Sequence, residues 1–336
     1  MAPLFSVILP TYNRARMVYT ALSTVKWQSC GDWECWVVDD GSNDDTPRVL
    51  KEFQADARIR VLRSPANQGM NASRNQAIAR AQGEFVTFLD SDDLWLPRRL
   101  DAFRARAAQS PQAGLLFSNA WVWRFARILG PLFDPARTIP EGVVPGHYGV
   151  GDRFLPYVTT NVAIRREAFT RWGLFRTEMK TLDTELFTRF LTQGLPVAAL
   201  REPLSVRRIH GAQLTDHALE NFRESMRALA ASRASEVERR EVREKVVYEV
   251  AGYLLKAAQP GQARAFLLAE LGAAAKKAPL YPLTFIPAPA LRTARGLRRW
   301  YLLLRHYPAW APAQIRDVHR LIAPLLARER AERAAL

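Results

Sequence analysis

The sequence predicts an α/β protein, with a mainly parallel central sheet carrying helices on both faces and a basic helical extension after it. Three observations carry this reading. Short β-branched and aromatic runs alternate with helix-length segments over the first hundred residues, an order that compact chains resolve as parallel strands joined by crossover helices. Two of those runs end in acid, "VDDGSNDDTP" (38–47) and "LDSDD" (89–93). Open parallel sheets bind ligands just there, beyond the carboxyl ends of their strands. After His217 the pattern changes to charge-balanced helix and then to an apolar, aromatic and basic tail.

Taken in order, Phe5 to Leu9, Trp33 to Val38, Ile59 to Leu62 and Phe85 to Leu89 read as buried strands. Between them Ala15 to Gln28, Pro47 to Ala55 and Met70 to Ala81 have helix length and period. Thr46-Pro47 reads as an N-cap followed by proline in the first turn, where a missing N–H costs nothing. From about Leu115 come Trp-rich strands and a Pro/Gly-bearing loop stretch, Pro135 to Gly151. Helices near Arg166 to Arg171 and Thr184 to Gln193 precede a strand at Pro196 to Leu200. No internal repeat or low-complexity tract is present.

Composition narrows the class. At 336 residues, 48% hydrophobic and 24% charged, the chain has room for one large domain plus an appendage, and disorder throughout is excluded. It has no run of about 18 uncharged apolar residues. The start "MAPLFSVILPTYNR" lacks a basic n-region and cleavage site, so the chain is expected to stay in the cytosol. Cys30 and Cys35 are too few for a disulfide framework and are expected to be reduced and packed. The net charge of +15 calls for an anionic partner: nucleotide phosphates, nucleic acid or an acidic lipid surface.

The acidic clusters carry the chemistry. A lone "DDGS" has a plain reading, since Asp bonds nearby backbone in turns. "LDSDD" adds to it: Asp90 and Asp92 lie at i and i+2 of an extended segment and point the same way. Like charges so held need something positive between them. Mg²⁺ or Mn²⁺, which takes carboxylate oxygen and commonly keeps bound phosphate, answers that need.

"SVILPTYNR", "VVDDGSNDDTP", "NQGMNASRNQAI" and "GEFVTFLDSDDLWLPRRL" resemble, in this order and spacing, the nucleotide-binding half of a family 2 glycosyltransferase of the GT-A fold. "TTNVAIRREAFTRWGLF", "LDTELFTRFLTQG" and "PLSVRRIHGAQLT" resemble its acceptor half, so the likeness covers roughly residues 4–217. It implies a GT-A domain over 1–217, with a nucleotide-binding half (1–110) and an acceptor half (111–217), and a helical extension over 218–336.

The resemblance implies nucleotide-sugar contacts from Pro10, Thr11, Tyr12 and Asn13, with Asp40 on the base edge and Arg74 on base or diphosphate. Asp90 and Ser91 would meet the ribose or a metal-bound water, Asp92 would ligate the metal, and Asp93 reads as a cap. It points to Asp183 as the general base at a helix start where the family usually writes Glu-Asp; Leu182 replaces the first acid. An ordinary N-cap is the plain reading of Asp183, and Glu185 is the reserve base. His210 is expected near metal or diphosphate, with Arg207 and Arg208 as diphosphate partners. Trp95 and Trp172 suit either sugar stacking or core.

The implied reaction is inverting transfer from a nucleotide-diphosphate sugar, UDP-linked by expectation, to a hydroxyl of a glycan or lipid-linked acceptor in bacterial surface polysaccharide synthesis. Leu182 keeps open a degenerate protein that only binds nucleotide-sugar. A nucleic-acid-binding module would explain the charge, but acid at both strand ends makes a phosphate-repelling mouth, so no nucleic acid partner is expected. A dinucleotide oxidoreductase wants Gly-x-Gly-x-x-Gly after the first strand, and "ILPTYNR" has no glycine.

Residues 276–336 hold 12 Lys/Arg against Asp317, Glu329 and Glu332, more than half of the excess charge. Trp300 to Leu304 flanked by Arg298, Arg299 and Arg305 fits an interfacial segment on an anionic membrane, at the inner face of the cell membrane. The competing reading is a helix pair packed on the catalytic domain with its arginines exposed.

Overall fold

The computed structural model describes residues 2–124, 127–150, 155, 158–179, 183–209, 217–291 and 312–334. Nine strands form one sheet in the order β3-β2-β1-β4-β8-β6-β9-β5, with β7 paired to β6. The strands are β1 (Phe5–Thr11), β2 (Trp33–Asp39), β3 (Ile59–Arg63), β4 (Phe85–Phe88), β5 (Leu94–Trp95), β6 (Leu115–Arg124), β7 (Arg127–Pro131), β8 (Val162–Arg165) and β9 (Val197–Arg208).

The first four strands are parallel throughout, as the alternating pattern requires. Beyond β4 the sheet turns mixed: β8 runs antiparallel to β4 and β6, while β9 is parallel to β6. Four helices, α1 (Ala15–Lys26), α2 (Thr46–Phe53), α3 (Met70–Ile78) and α4 (Arg99–Gln109), interleave with the early strands; α5 (Arg166–Trp172) and α6 (Thr184–Thr192) follow β8.

Strand periodicity sorts β1 between two cores. Phe5, Val7 and Leu9 pack with α1, α2 and α4 on one face, while Ile8 packs with α3, α5 and α6 on the other. Buried on both faces, β1 must be apolar throughout. Cys30 and Cys35 are unpaired and buried in the first core. Burial, then the charges of Glu34 and Asp56, pushes the Cys35 thiol up, which keeps it protonated and inert.

Thr46 does not cap α2. It lies inside the helix, and its hydroxyl accepts the Arg14 N–H at 3.0 Å, tying α1 to the acidic turn. Gly41 sits in that turn at φ +79°, where an added Cβ would lie 2.8 Å from the Ala66 carbonyl carbon. Only glycine fits both the conformation and the space.

After the sheet come α7 (Ala218–Ala231), α8 (Glu236–Lys256) and α9 (Pro260–Leu271). Ser235 starts α8 with a capping box: its hydroxyl accepts the Glu238 N–H at 3.3 Å, and the Glu238 carboxylate accepts the Ser235 N–H at 2.8 Å. These helices share a third core with Val150.

The last described helix, α10 (Pro312–Ala334), buries Ile315, Val318 and Ile322 against Leu94, Trp121, Ile128 and Val206 of the sheet. At about 1.5–3 kcal/mol for each such side chain, this contact holds α10 on the sheet. The exposed arginines on α10, Arg316 and Arg320, suit the packed-helix reading for this part of the tail. Trp300 to Leu304 lie outside the described residues. Among the described residues no helix is long and apolar enough to cross a membrane.

Candidate active site

A cavity of about 770 Å³ opens at the carboxyl ends of β1, β2 and β4, a volume suited to a nucleotide-sized ligand. It is lined by Pro10, Thr11, Tyr12 and Asp40, by Arg74, Asp90, Ser91 and Asp92, and by Asp183. Asn13 does not line it: its side-chain oxygen accepts the Asn43 N–H at 2.9 Å and closes the turn instead. His210 and Leu182 lie outside the described residues.

Most of the acid in the first cluster organises backbone. Asp39 accepts the Ser42 N–H, and Asp44 accepts the Thr46 N–H, each at 2.9 Å. Asp40 takes the N–H groups of Gln68 at 3.0 Å and Gly69 at 2.9 Å, which folds the 67–69 loop across the cavity mouth. Two points on the wall look toward a ligand: Tyr12 is 42% exposed, and the buried Thr11 Oγ1 has no hydrogen-bond partner in the protein. An orphaned buried hydroxyl facing a cavity is a position that a ligand atom can satisfy.

The second cluster is ordered by guanidinium groups. Arg74 is fully buried, stacked near Phe175, and bridges two carboxylates: Nη2 donates to Asp90 Oδ1 at 2.9 Å and Nη1 to Asp183 Oδ1. Arg74 is not on a solvated face: its guanidinium holds Asp90 and Asp183, while its Nε has no partner among the described residues. Arg14 Nη1 pairs with Asp92 Oδ2 at 2.8 Å. Burial raises the Asp90 pKa; the Arg74 charge opposes this, and the nearby Asp92 and Asp183 charges add to it.

Asp93 is not a cap for the next segment. It is buried and accepts the Arg208 backbone N–H at 2.8 Å, which locks the second acidic turn to the end of β9. Burial, then the charges of Asp92 and Asp90, raises its pKa well above the carboxylate range. Arg208 is likewise structural, donating from Nε to the Asp92 carbonyl, whereas Arg207 on the opposite face of the strand lines the cavity.

Asp183 starts α6, yet its side chain makes no capping bond to the helix. Its Oδ2 accepts the Thr159 hydroxyl while Oδ1 takes Arg74. Glu185 is spent on Arg189, at 2.8 Å, and Arg176, at 3.1 Å. Trp95 is core: it is fully buried and donates from Nε1 to the Thr160 carbonyl at 3.0 Å. Trp172 packs on Phe190.

Two site residues escaped sequence reading, Arg14 and Thr159, as did the stretch of α7 and α8 that lines the cavity. "TYNR" and "TTN" contain the first two, but nothing local says whom they pair with.

Arg74→Met tests the bridge. It keeps side-chain bulk and leaves two carboxylates facing each other without their cation; breaking such a pair costs about 3–5 kcal/mol. The loss is expected at the low end, because Asp90 and Asp183 keep 28% and 16% of their side-chain surface exposed. A urea midpoint equal to that of the wild type would show that the bridge is not holding the site.

The donor set fits a divalent cation. Asp90 and Asp92 offer hard oxygen one residue apart, and Mg²⁺ or Mn²⁺ takes one or two carboxylates with phosphate and water completing its shell. Among the described residues no group of three or more His, Cys, Asp or Glu could hold a metal.

With this geometry in hand, residues 6–121 match the family described as Glycosyl transferase family 2, and the fold is of the GT-A type. It is 37% identical over 123 residues to the putative colanic acid biosynthesis glycosyl transferase WcaA of Escherichia coli K12, covering 36% of this chain and 43% of WcaA. It is 39% identical over 98 residues to the Escherichia coli UDP-Glc:alpha-D-GlcNAc-diphosphoundecaprenol beta-1,3-glucosyltransferase WfgD, covering 29% of this chain and 38% of WfgD. The matches thus span about two fifths of the length of these relatives. The crystal structure of S. aureus TarS 1-349 in complex with UDP-GlcNAc shares the fold at a TM-score of 0.58 and 18% identity, covering 92% of this chain and 93% of that one.

Proposed function

We propose that the protein transfers a sugar, with inversion, from a nucleoside diphosphate sugar to a hydroxyl group of a glycan or lipid-linked acceptor during assembly of a bacterial surface polysaccharide. The observation that carries this is the single cavity in which Asp183 faces the carboxylates at the ends of β2 and β4. The relatives support a UDP-linked donor and an undecaprenol-linked acceptor, since WfgD is described by both, and WcaA by colanic acid biosynthesis.

In this reading the base end of the donor lies by Tyr12 and Asp40, with the Thr11 hydroxyl satisfied by the ligand, and the diphosphate runs toward Asp92 and Arg207. The acceptor oxygen attacks the anomeric carbon from the side opposite the diphosphate. The new C–O bond forms as the old one breaks, the hydroxyl proton passes to Asp183, and the departing diphosphate takes the electron pair. Arg74 and Thr159 aim Asp183; a carboxylate has about four lone-pair sites, so it can accept the acceptor hydroxyl as well. Held by Asp92, with Asp90 beside it, a divalent cation would supply charge neutralisation for the leaving group.

Contact of the tail with an anionic membrane is supported by the exposed Leu283 and Phe285 and by the basic sequence of 292–311.

Titration with UDP-, GDP- and dTDP-sugars in Mn²⁺, followed by assay of nucleotide release with and without polyprenyl-diphosphate sugar acceptors, tests the proposal. Tight binding of a UDP-sugar and acceptor-stimulated UDP release are expected. Saturable binding without release points to a protein that only holds nucleotide-sugar, and binding of no nucleotide-sugar sinks the reading.

A further inference from the structure

The cavity does not end at Asp183. It continues onto α7 and α8, where Asn221, Phe222, Glu249, Val250 and Tyr253 form its far wall. On α8 the lining residues Val246, Glu249, Val250 and Tyr253 fall at i, i+3, i+4 and i+7, so one stripe of that helix faces the cavity. Val246 and Val250 are buried and anchor the stripe in the helical core, while Tyr253 is 53% exposed.

Among the described residues several large hydrophobic side chains are exposed, including Val237, Phe285 and Leu283, yet only Tyr12 and Tyr253 of that set line the cavity. Two exposed aromatic rings thus line one cavity that also holds the carboxylates of Asp40, Asp90, Asp92 and Asp183. Tyr12 follows β1, among the residues assigned to the donor, whereas Tyr253 belongs to the helices after the sheet.

We infer that the wall formed by α7 and α8 is the acceptor's sugar subsite, with Tyr253 as the platform for a pyranose ring and Glu249 as the acceptor of its hydroxyl hydrogen bonds. The chemistry singles out a sugar. An aromatic face takes the apolar C–H face of a pyranose, and an adjacent carboxylate accepts from its hydroxyls at charge-assisted strength. A prenyl chain gains nothing from Glu249, and a phosphate is repelled by it. Lys256 Nζ lies over one face of the Tyr253 ring, 4.9 Å from its centroid, so the pyranose stacks on the opposite face.

The inference rests on the transferase reading, and the test separates the two. The full chain, with the UDP-sugar that binds it, is assayed for UDP release against a panel of p-nitrophenyl glycosides (gluco, galacto, manno, N-acetylglucosamine), while UDP affinity is measured by calorimetry. At least one glycoside is expected to accelerate release. Tyr253→Ala is expected to raise the KM for that glycoside about tenfold, with UDP affinity and kcat unchanged. Tyr253→Phe, which keeps the ring, stays within about twofold of wild type, and Glu249→Gln raises the same KM several-fold. An unchanged glycoside KM in Tyr253→Ala overturns the inference, as does a UDP-sugar that binds while no glycoside accelerates its turnover. Failure of every UDP-sugar to bind removes the transferase reading and the subsite with it.

Discussion

Asp183→Asn is expected to lower kcat by about 10²–10⁴ while leaving UDP-sugar affinity unchanged, the effect of losing a positioned general base. Asparagine occupies the same volume: its Oδ1 can still accept from Arg74, and its Nδ2 can donate to the Thr159 hydroxyl, which turns to accept, so the orientation of the side chain survives. What disappears is the capacity to take a proton from the attacking hydroxyl. A measured kcat within tenfold of wild type, at saturating donor and acceptor, would exclude Asp183 as the base. Glu185→Gln is the matched control: its carboxylate is already engaged by Arg189 and Arg176 away from the cavity, so turnover should hold within about twofold even where some stability is lost.

Much of this site was legible because parallel sheets write their strands plainly. Phe5 to Leu9 and Phe85 to Leu89 lie near the middle of the sheet, buried on both faces, and a run without alternation is the signature of that burial. Since ligands in such sheets bind beyond strand ends, reading the strands also placed the acidic turns that hold Asp40 and Asp90, while Tyr12 was named only through the likeness. Asp183 was named through the same likeness, at a helix start where an ordinary cap was the plain reading. Only the structure removes the cap: the side chain makes no capping bond and pairs with Arg74, 109 residues back in the chain. Arg14 and Thr159 were opaque for the same cause, each pairing with an acid far along the chain.

The wall from α7 and α8 was hidden differently. "SEVERREVREKVVYEV" reads as a solvated helix, and most of α8 is one. The stripe of Val246, Val250 and Tyr253 gains meaning only when α7 packs between α8 and the catalytic domain, an arrangement fixed by tertiary contact rather than by period. Asp93 shows the converse. Its place in an Asp-rich turn suggested a local bond, yet its carboxylate reaches the backbone of Arg208, because a buried acid at a sheet edge needs whatever donor the neighbouring strand presents.

The second large effect is expected at Asp92. Asp92→Asn should cut turnover by about 10²–10³, the scale of losing one charge-stabilising group at a leaving oxygen, and should abolish the Mn²⁺ dependence of UDP binding measured by calorimetry. The calorimetric readout matters because Asp92 already pairs with Arg14, which leaves two ways for the leaving diphosphate to be neutralised. If a divalent cation is gripped by Asp92, Arg14 is its counter-ion in the unliganded protein, and Arg14→Gln should leave Mn²⁺-dependent binding in place. If Arg14 itself meets the diphosphate, Arg14→Gln should weaken UDP binding with and without Mn²⁺, and Asp92→Asn should free the guanidinium and strengthen metal-independent binding. The two variants thus move in opposite directions under the two mechanisms, and a Mn²⁺ titration of UDP affinity on both decides which positive charge the second acidic cluster serves.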